Sequence, residues 1–464
     1  MSLNNLLYNL LTLLLLGVGA FFSWRFRFIQ FRALIHSIRM IWQPTDQRGI
    51  TPFQAFSVGI ASRVGTGTIT GVAVALTAGG PGAIFWMWIT ALVGMSSAFV
   101  EATLAQIFKQ TNSQDQTFRG GPAYYIRTGL NSRFFSILFS VSLLLAFGFV
   151  FNAVQANSIA EAFQHAFGLQ PVVVGILLII LTAPVLFGGI RRISRFSQVV
   201  IPIMALGYLG LTGYIIAQNL SALPAIFSSI FNHAFGLTQA IGGIAGYTVN
   251  QTLLVGIKRG LFANEAGMGS APNAAATATT HHPVTQGLLQ MLGVAVDTLV
   301  ICTATALMIL ASGEYVAGTP MEGAALTQRA IASAVGQWGS LFMAIAIFFF
   351  AWTTIIGNYA YAEGNLQFLS NKKPTLCLFR LGVLSTILLG TIGSLPLVWH
   401  LADTSMALMA IINLVAIVLL TPYAFYAWQD YQAQRRAGKA EPHFRLSALP
   451  KQLASKLSGN IWPS

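Results

Sequence analysis

Charge is what this sequence has least of. Of 464 residues only 8% are Asp, Glu, Lys or Arg, whereas a soluble domain uses about a quarter to cover its surface. Acid is scarcer than base, with 12 Asp and Glu against 25 Lys and Arg. There are two cysteines, Cys302 and Cys377, both in apolar stretches. Neither a disulfide framework nor a thiolate metal cluster is indicated. No P-loop, GxSxG, HExxH or CxxC occurs, which disfavours ATP-driven transport by this chain alone and leaves an enzyme without a nucleophile–base or metal constellation. His281 and His282 stand together before Pro283 without a third ligand nearby.

What abounds is apolar surface, with 55% hydrophobic residues. Runs such as VVVGILLIILTAPVLF show no alternation, so a β-barrel is excluded. The lengths suit helices crossing a hydrocarbon core of ~30 Å. Eleven spans are expected, near 3–24, 50–78, 82–108, 134–166, 171–190, 197–218, 249–280, 285–312, 338–369, 375–395 and 404–430. Residues 3–24 lack a basic leader and a small-residue cleavage site, and read as a retained helix. FRALIHSIRMIW, within 28–43, reads as an in-plane amphipathic helix. The net charge of +13 gathers at span ends, a positive-inside pattern rather than a nucleic-acid surface. It places residues 25–48 in the cytoplasm, the N-terminus outside, and 431–464 inside as a basic tail. A bacterial inner-membrane protein is expected.

The chain repeats itself. VGIASRVG at 58–65 and VGIKRGLF at 255–262 each open a glycine-rich span, and FGFVFNAVQANSIAE at 147–161 pairs with FFAWTTIIGNYAYAE at 349–363. Five spans separate the copies, so the second enters the membrane from the other side. Repeat one is 50–218 and repeat two 249–430. Inverted repeats with interrupted helices mark secondary transporters. Gly65, Gly67 and Gly71, then Gly260, Gly267 and Gly269, weaken equivalent stretches that also carry Thr66, Thr68, Thr70, Asn264 and Glu265. Unwound backbone there would offer amides to a carboxylate and carbonyls to a hard cation.

Charged groups inside spans need a reason. Arg63 and Arg259 precede the two breaks and could each close a gate or pack statically; Glu101, Glu161, Lys258, Asp297 and Glu363 are further candidates. In FNAVQANS, Gln155 can face the bundle centre or bond to a neighbouring helix.

SRVGTGTITGVAVAL, GGPGAIFWMW, RGGPAYYI, FNAVQANSIAEAF, GIKRGLFANEAGMGSAPNAAA and QGLLQMLGVAVDTLVICTATALMIL resemble the alanine or glycine:cation symporter family, the sodium/alanine symporters. The resemblance implies an all-α polytopic membrane protein of LeuT-type fold, two inverted five-helix repeats plus one extra N-terminal helix. It implies uptake of alanine, glycine or a similar small amino acid coupled to Na⁺, or to H⁺ in some members. A non-transporting sensor on the same scaffold is the alternative. By the resemblance Thr66, Gly67 and Thr68 meet substrate with Gln155 across from them; Phe262, Ala263 and Asn264 line the second break; Trp352 covers the pocket. Carbonyls near Gly65 and Thr68, with Ala351, Thr353 and Thr354, would hold Na⁺. Thr68 departs from the pattern, since the family usually reads GTGN there.

Overall fold

A computed structural model describes residues 3–42, 49–111, 117–187, 189–236, 249–320, 323–457 and 461–463, with backbone alone for 3–6 and 189–192. It is a bundle of helices. Among the described residues, eight helical stretches are long and apolar enough to cross a bilayer: Leu7–Arg25, Gly82–Ile107, Arg133–Phe167, Ile193–Gln218, Pro283–Ser312, Gln337–Leu369, Lys373–Ile392 and Leu395–Leu419. Pro171–Leu186 is a shorter apolar helix. Two further segments are interrupted: Pro52–Arg63 followed by Thr70–Gly79, and Val249–Asn264 followed by Ala271–Thr277.

Local chemistry sets the starts. Thr51 accepts from the amide of Gln54 while Gln54 answers the amide of Thr51, and Pro52 takes the first helical position, a reciprocal cap followed by a residue needing no donor. His282 caps Pro283–Val294 by accepting from the Val284 amide at 3.2 Å. Two long stretches carry a π-helical segment, Leu144–Val150 and Ala295–Cys302; the second contains Asp297.

Both breaks fall where glycine was expected to open the helix. The first leaves the helix after Arg63 and rejoins it at Thr70, with the Gly71 amide reaching back to the Thr66 carbonyl at 2.7 Å. In the second, Glu265, Gly267 and Gly269 all have positive φ, of 56°, 80° and 86°. Two glycines and one strained glutamate thus turn the chain within five residues. The amides exposed by that turn are taken by Glu101 on Gly82–Ile107: its carboxylate accepts from Gly267 and Gly269, each at 3.2 Å, and from Asn413 at 2.8 Å. Asn413 also donates to the Gly267 carbonyl at 3.0 Å and accepts from the Tyr125 hydroxyl.

Several boundaries differ from the sequence reading. The last span begins at Leu395, not near 404, because Pro396 can occupy the first turn and the apolar run extends through Val398 and Trp399. It ends at Leu419, and Thr421–Arg436 restarts on Pro422. The in-plane segment is two short helices, Ile29–Arg32 and Leu34–Met40, entered through Arg27 and Phe28 in the left-handed region; residue 43 lies outside the described residues. Residues 437–457 and 461–463, expected as part of a polar tail, lie against the helix ends. Phe444, Leu449, Leu457 and Trp462 are buried. The Phe444 amide donates to His281, the Trp462 indole to Gln106, and Lys456 to the Gly129 carbonyl. The scattered aromatics of this segment have found an apolar surface to cover.

Removing the Glu101 carboxylate orphans two buried amides, each costing about 1–3 kcal/mol. Glu101→Ala is expected to lower the thermal unfolding midpoint in detergent by several degrees, with Glu101→Gln intermediate. An unchanged midpoint for Glu101→Ala would show that the second break is held by other groups.

Candidate functional site

The two breaks meet. A Cβ placed on Gly67 would lie 3.1 Å from the Cα of Ala263 and 3.1 Å from the Phe262 ring, so any side chain here would push these neighbours back by a few tenths of an ångström. Positions 67 and 263 are 196 residues apart, the separation that also relates Arg63 to Arg259 and Glu101 to Asp297. The amide of Thr66 donates to the Gln155 side-chain carbonyl at 3.0 Å. Thr66, Gly67, Gln155, Phe262 and Ala263 are therefore gathered at one place. Asn264 stands at the end of its half-helix, its side-chain oxygen accepting from the Ala266 amide at 3.0 Å.

Several polar groups here have no partner among the described residues. They are the hydroxyls of Thr66 and Thr70 and the side-chain NH₂ of Asn264, all buried. The backbone amides of Gly67 and Thr68 likewise make no hydrogen bond among the described residues. They precede the half-helix Thr70–Gly79, whose positive dipole end favours an anion. Buried donors without acceptors are costly and suit a ligand that brings acceptors.

Beside the first break lies a knot of oxygens. The Thr354 hydroxyl donates to the carbonyls of Ala61 at 2.7 Å and Phe350 at 2.9 Å. A Cβ on Gly65 would sit 2.2 Å from that hydroxyl. Thr68 donates to the Gly65 carbonyl at 2.9 Å. Ala351 is buried on the same helix. Thr353 bonds back to its own helix at Phe350. Gly65, Thr68 and Thr354 are thus brought together.

Trp352 is not with them. Its indole donates to Thr182 at 3.0 Å and its ring packs on Phe196 of another helix and on Phe348 of its own. The tryptophan at the break is Trp399, 4.7 Å from Phe262 between ring centroids and in contact range of Gly71. Phe262 in turn lies 4.6 Å from Phe151. The guanidinium of Arg259 sits 4.3 Å above the Trp399 ring and pairs with Asp403, with Lys258 3.9 Å from the other carboxylate oxygen. Farther out, Glu161 accepts from the amides of Ala324 and Ala325 and so fixes the start of the helix Ala324–Val335 near Thr70.

On the opposite side of the breaks, Ser62 bonds to Glu265 at 2.6 Å and Asn358 at 2.8 Å, and Ser270 bonds to the other oxygen of Glu265 at 2.6 Å. Arg63 donates to the Gln290 carbonyl at 3.2 Å. Beyond them a cavity of about 90 Å³ is lined by Arg119, Asn273, Tyr361 and Glu363 among others. One side of the site is covered by an ion pair and tilted aromatic rings, and the other by hydroxyl–carboxylate bonds beside a cavity. Asp403, Trp399, Ser62 and Asn358 were not singled out from the sequence. Asp403 had a signal, an acid within an apolar run, but it fell just before the span as drawn.

The sequence profile of the sodium:alanine symporter family matches residues 1–446. The chain is 48% identical to a probable sodium/glutamine symporter of Bacillus subtilis, covering 96% of this chain and 92% of that one. It is 37% identical to a sodium/alanine symporter of Methanococcus maripaludis, covering 88% and 91%. Among solved structures it resembles MhsT in complex with L-phenylalanine, with a TM-score of 0.56 at 13% identity over 89% of this chain and 95% of that one, a likeness of fold that is LeuT-type. A profile and relatives that span nearly the whole chain leave one assignment: this protein is a multi-pass membrane transporter of the sodium:alanine symporter family.

Proposed function

We propose that the chain is a symporter that couples Na⁺ influx to uptake of a small neutral amino acid, alanine or glycine, by alternating access. The observation that carries this reading is the pair of unpartnered amides at Gly67 and Thr68, set at a half-helix N-terminus against Phe262 and Ala263. The substrate carboxylate binds those amides, its ammonium faces Gln155 and the hydroxyls of Thr66 and Thr70, and its side chain meets the Phe262 and Trp399 rings. Close packing of Phe151, Phe262 and Trp399 favours a methyl or hydrogen there. Asn264, at the end of the second half-helix, supplies a further amide donor.

Na⁺ takes the oxygens of Gly65, Thr68 and Thr354 with the carbonyl of Ala351, a hard-oxygen set suited to it; Thr353 contributes once its bond to Phe350 is released. The positive-inside pattern puts the Arg259–Asp403 pair on the outer side. Uptake then runs from opening of that pair, through closure over the loaded site, to release past Ser62 and Glu265 toward the cavity at Tyr361. Ion and substrate, bound to adjoining parts of one break, strengthen each other's binding reciprocally.

A larger polar substrate is the second reading, supported by the name of the Bacillus subtilis relative. In proteoliposomes, alanine is expected to accumulate under an inward Na⁺ gradient and not under choline, with glycine competing better than glutamine. Competition by glutamine at tenfold lower concentration than alanine would exchange the substrate, and accumulation driven equally well by a proton gradient alone would remove Na⁺ from the mechanism.

Thr68→Asn is expected to shift the order of competing amino acids or the Na⁺ dependence, since an amide group replaces a single hydroxyl. Thr354→Ala is expected to raise the half-saturating Na⁺ concentration about tenfold, the worth of one oxygen contact of about 1.4 kcal/mol, and Thr354→Ser to restore most of it. Equal transport kinetics in Thr354→Ala and the parent would place the ion elsewhere.

A further inference from the structure

A basic groove lies apart from the breaks. Between the in-plane segment and the end of Thr421–Arg436 there is a groove of about 290 Å³ whose lining includes Arg32, His36, Trp428, Tyr431, Arg435 and Arg436. The three arginines come from two parts of the chain some 400 residues apart. None of them has a carboxylate within ion-pair distance among the described residues. Arg435 and Arg436 stand in the last turn of their helix, where the dipole alone would welcome a cation. Arg32 ends the short helix Ile29–Arg32 and comes to the same groove from the other end of the chain.

The floor of the groove is built. His36 bonds to the Tyr431 hydroxyl at 2.8 Å, that hydroxyl also reaches the sulfur of Met40 at 3.5 Å, and Trp428 stacks on Tyr431 with ring planes 13° apart. Nearby, the Arg25 guanidinium lies 3.6 Å over the Phe425 ring. Burial first, then Arg435 and Arg39, holds the His36 imidazole below its usual pKa, as expected in a pocket of positive potential.

Along the outer edge the in-plane segment turns apolar side chains away from the protein. Phe31 is 61% exposed and Ile35 69%, with Phe28 and Trp42 also exposed. Such a face is placed in the acyl region beneath the headgroups. The groove therefore combines three guanidinium groups without a carboxylate partner among the described residues, Arg32 donating only to the Arg27 carbonyl at 3.5 Å, with an exposed apolar strip beside them.

We infer that this groove binds the phosphodiester headgroup of an anionic membrane lipid, with Arg32, Arg435 and Arg436 on the phosphate and Phe31 and Ile35 beside the chains. Guanidinium forks match phosphate oxygens in pairs, and basic pockets at the cytoplasmic edge of transmembrane helices take anionic lipid headgroups. Nothing in this site depends on what the chain transports. Its floor does touch the transport unit: the Tyr431 ring lies 5.0 Å from His282, which caps the helix after the second broken span and sits 3.2 Å from Asp430.

The test is retention of phosphatidylglycerol by the purified, delipidated full chain, read by native mass spectrometry. It is paired with titration against phosphatidylglycerol or phosphatidylcholine vesicles. Each arginine near an anionic surface contributes roughly fivefold in binding, so R32Q/R435Q/R436Q is expected to weaken phosphatidylglycerol binding on the order of a hundredfold. The corresponding lysine triple is expected to keep most of it, and K372Q/K373Q, in another exposed loop, to stay near the parent value. Loss of the same size in K372Q/K373Q, or full retention in the glutamine triple with an unchanged unfolding midpoint, would overturn the site. Displacement of the lipid by micromolar inorganic phosphate would overturn the lipid assignment in favour of a soluble oxyanion.

Discussion

Helical backbone opened inside an apolar medium must be answered group by group, and that requirement organises this molecule. Each unwound residue frees an amide or carbonyl that lipid cannot satisfy. At the second break the answer is internal. Glu101 reaches across from a neighbouring helix to Gly267 and Gly269, and Asn413 closes the arrangement. At the first break the answer is incomplete, because Gln155 takes the Thr66 amide while Gly67 and Thr68 are left without acceptors among the described residues. The amides freed at one break are thus met by side chains while two at the other are not among the described residues, although both arise from the same kind of glycine-rich sequence.

The surrounding polar groups follow from that division. Arg259, with Trp399 beneath it and Asp403 beside it, is a desolvated cation whose charge is met from both directions. Such a pair is costly to break by halves, and removing either member strands the other. On the far side the closing contacts are hydroxyls on Glu265, shorter in reach and dependent on a glutamate held at positive φ. The two closures differ in kind. One is an ion pair under aromatic cover and the other a hydrogen-bonded carboxylate, so they respond differently to salt and to solvent.

Much of the fold could be read from the sequence because hydropathy and glycine placement act locally. The broken spans, their threonines and the Gln155 helix needed only local pattern and the repeat. Pairings between distant elements were out of reach. Nothing in EATLAQ says that Glu101 will meet an amide 166 residues away. Trp352 and Trp399 are both plausible aromatic covers by composition, and only helix rotation decides that the first faces Thr182 and the second faces Phe262. Asp403 was hidden by a boundary nine residues late, since the helix starts at Leu395 with Pro396 in its first turn. The aromatics of the C-terminal stretch, isolated among polar residues, gave no periodicity, yet Phe444 and Trp462 bury themselves on the helix ends.

The contact between Gly67 and Ala263 has a geometric meaning. Gly67 lies in the first interrupted segment and Ala263 in the second, so the close approach joins the two copies where each is broken. A side chain at position 67 would press on the half-helix of the other copy, so the smallest residue at this junction sets how closely the two copies approach.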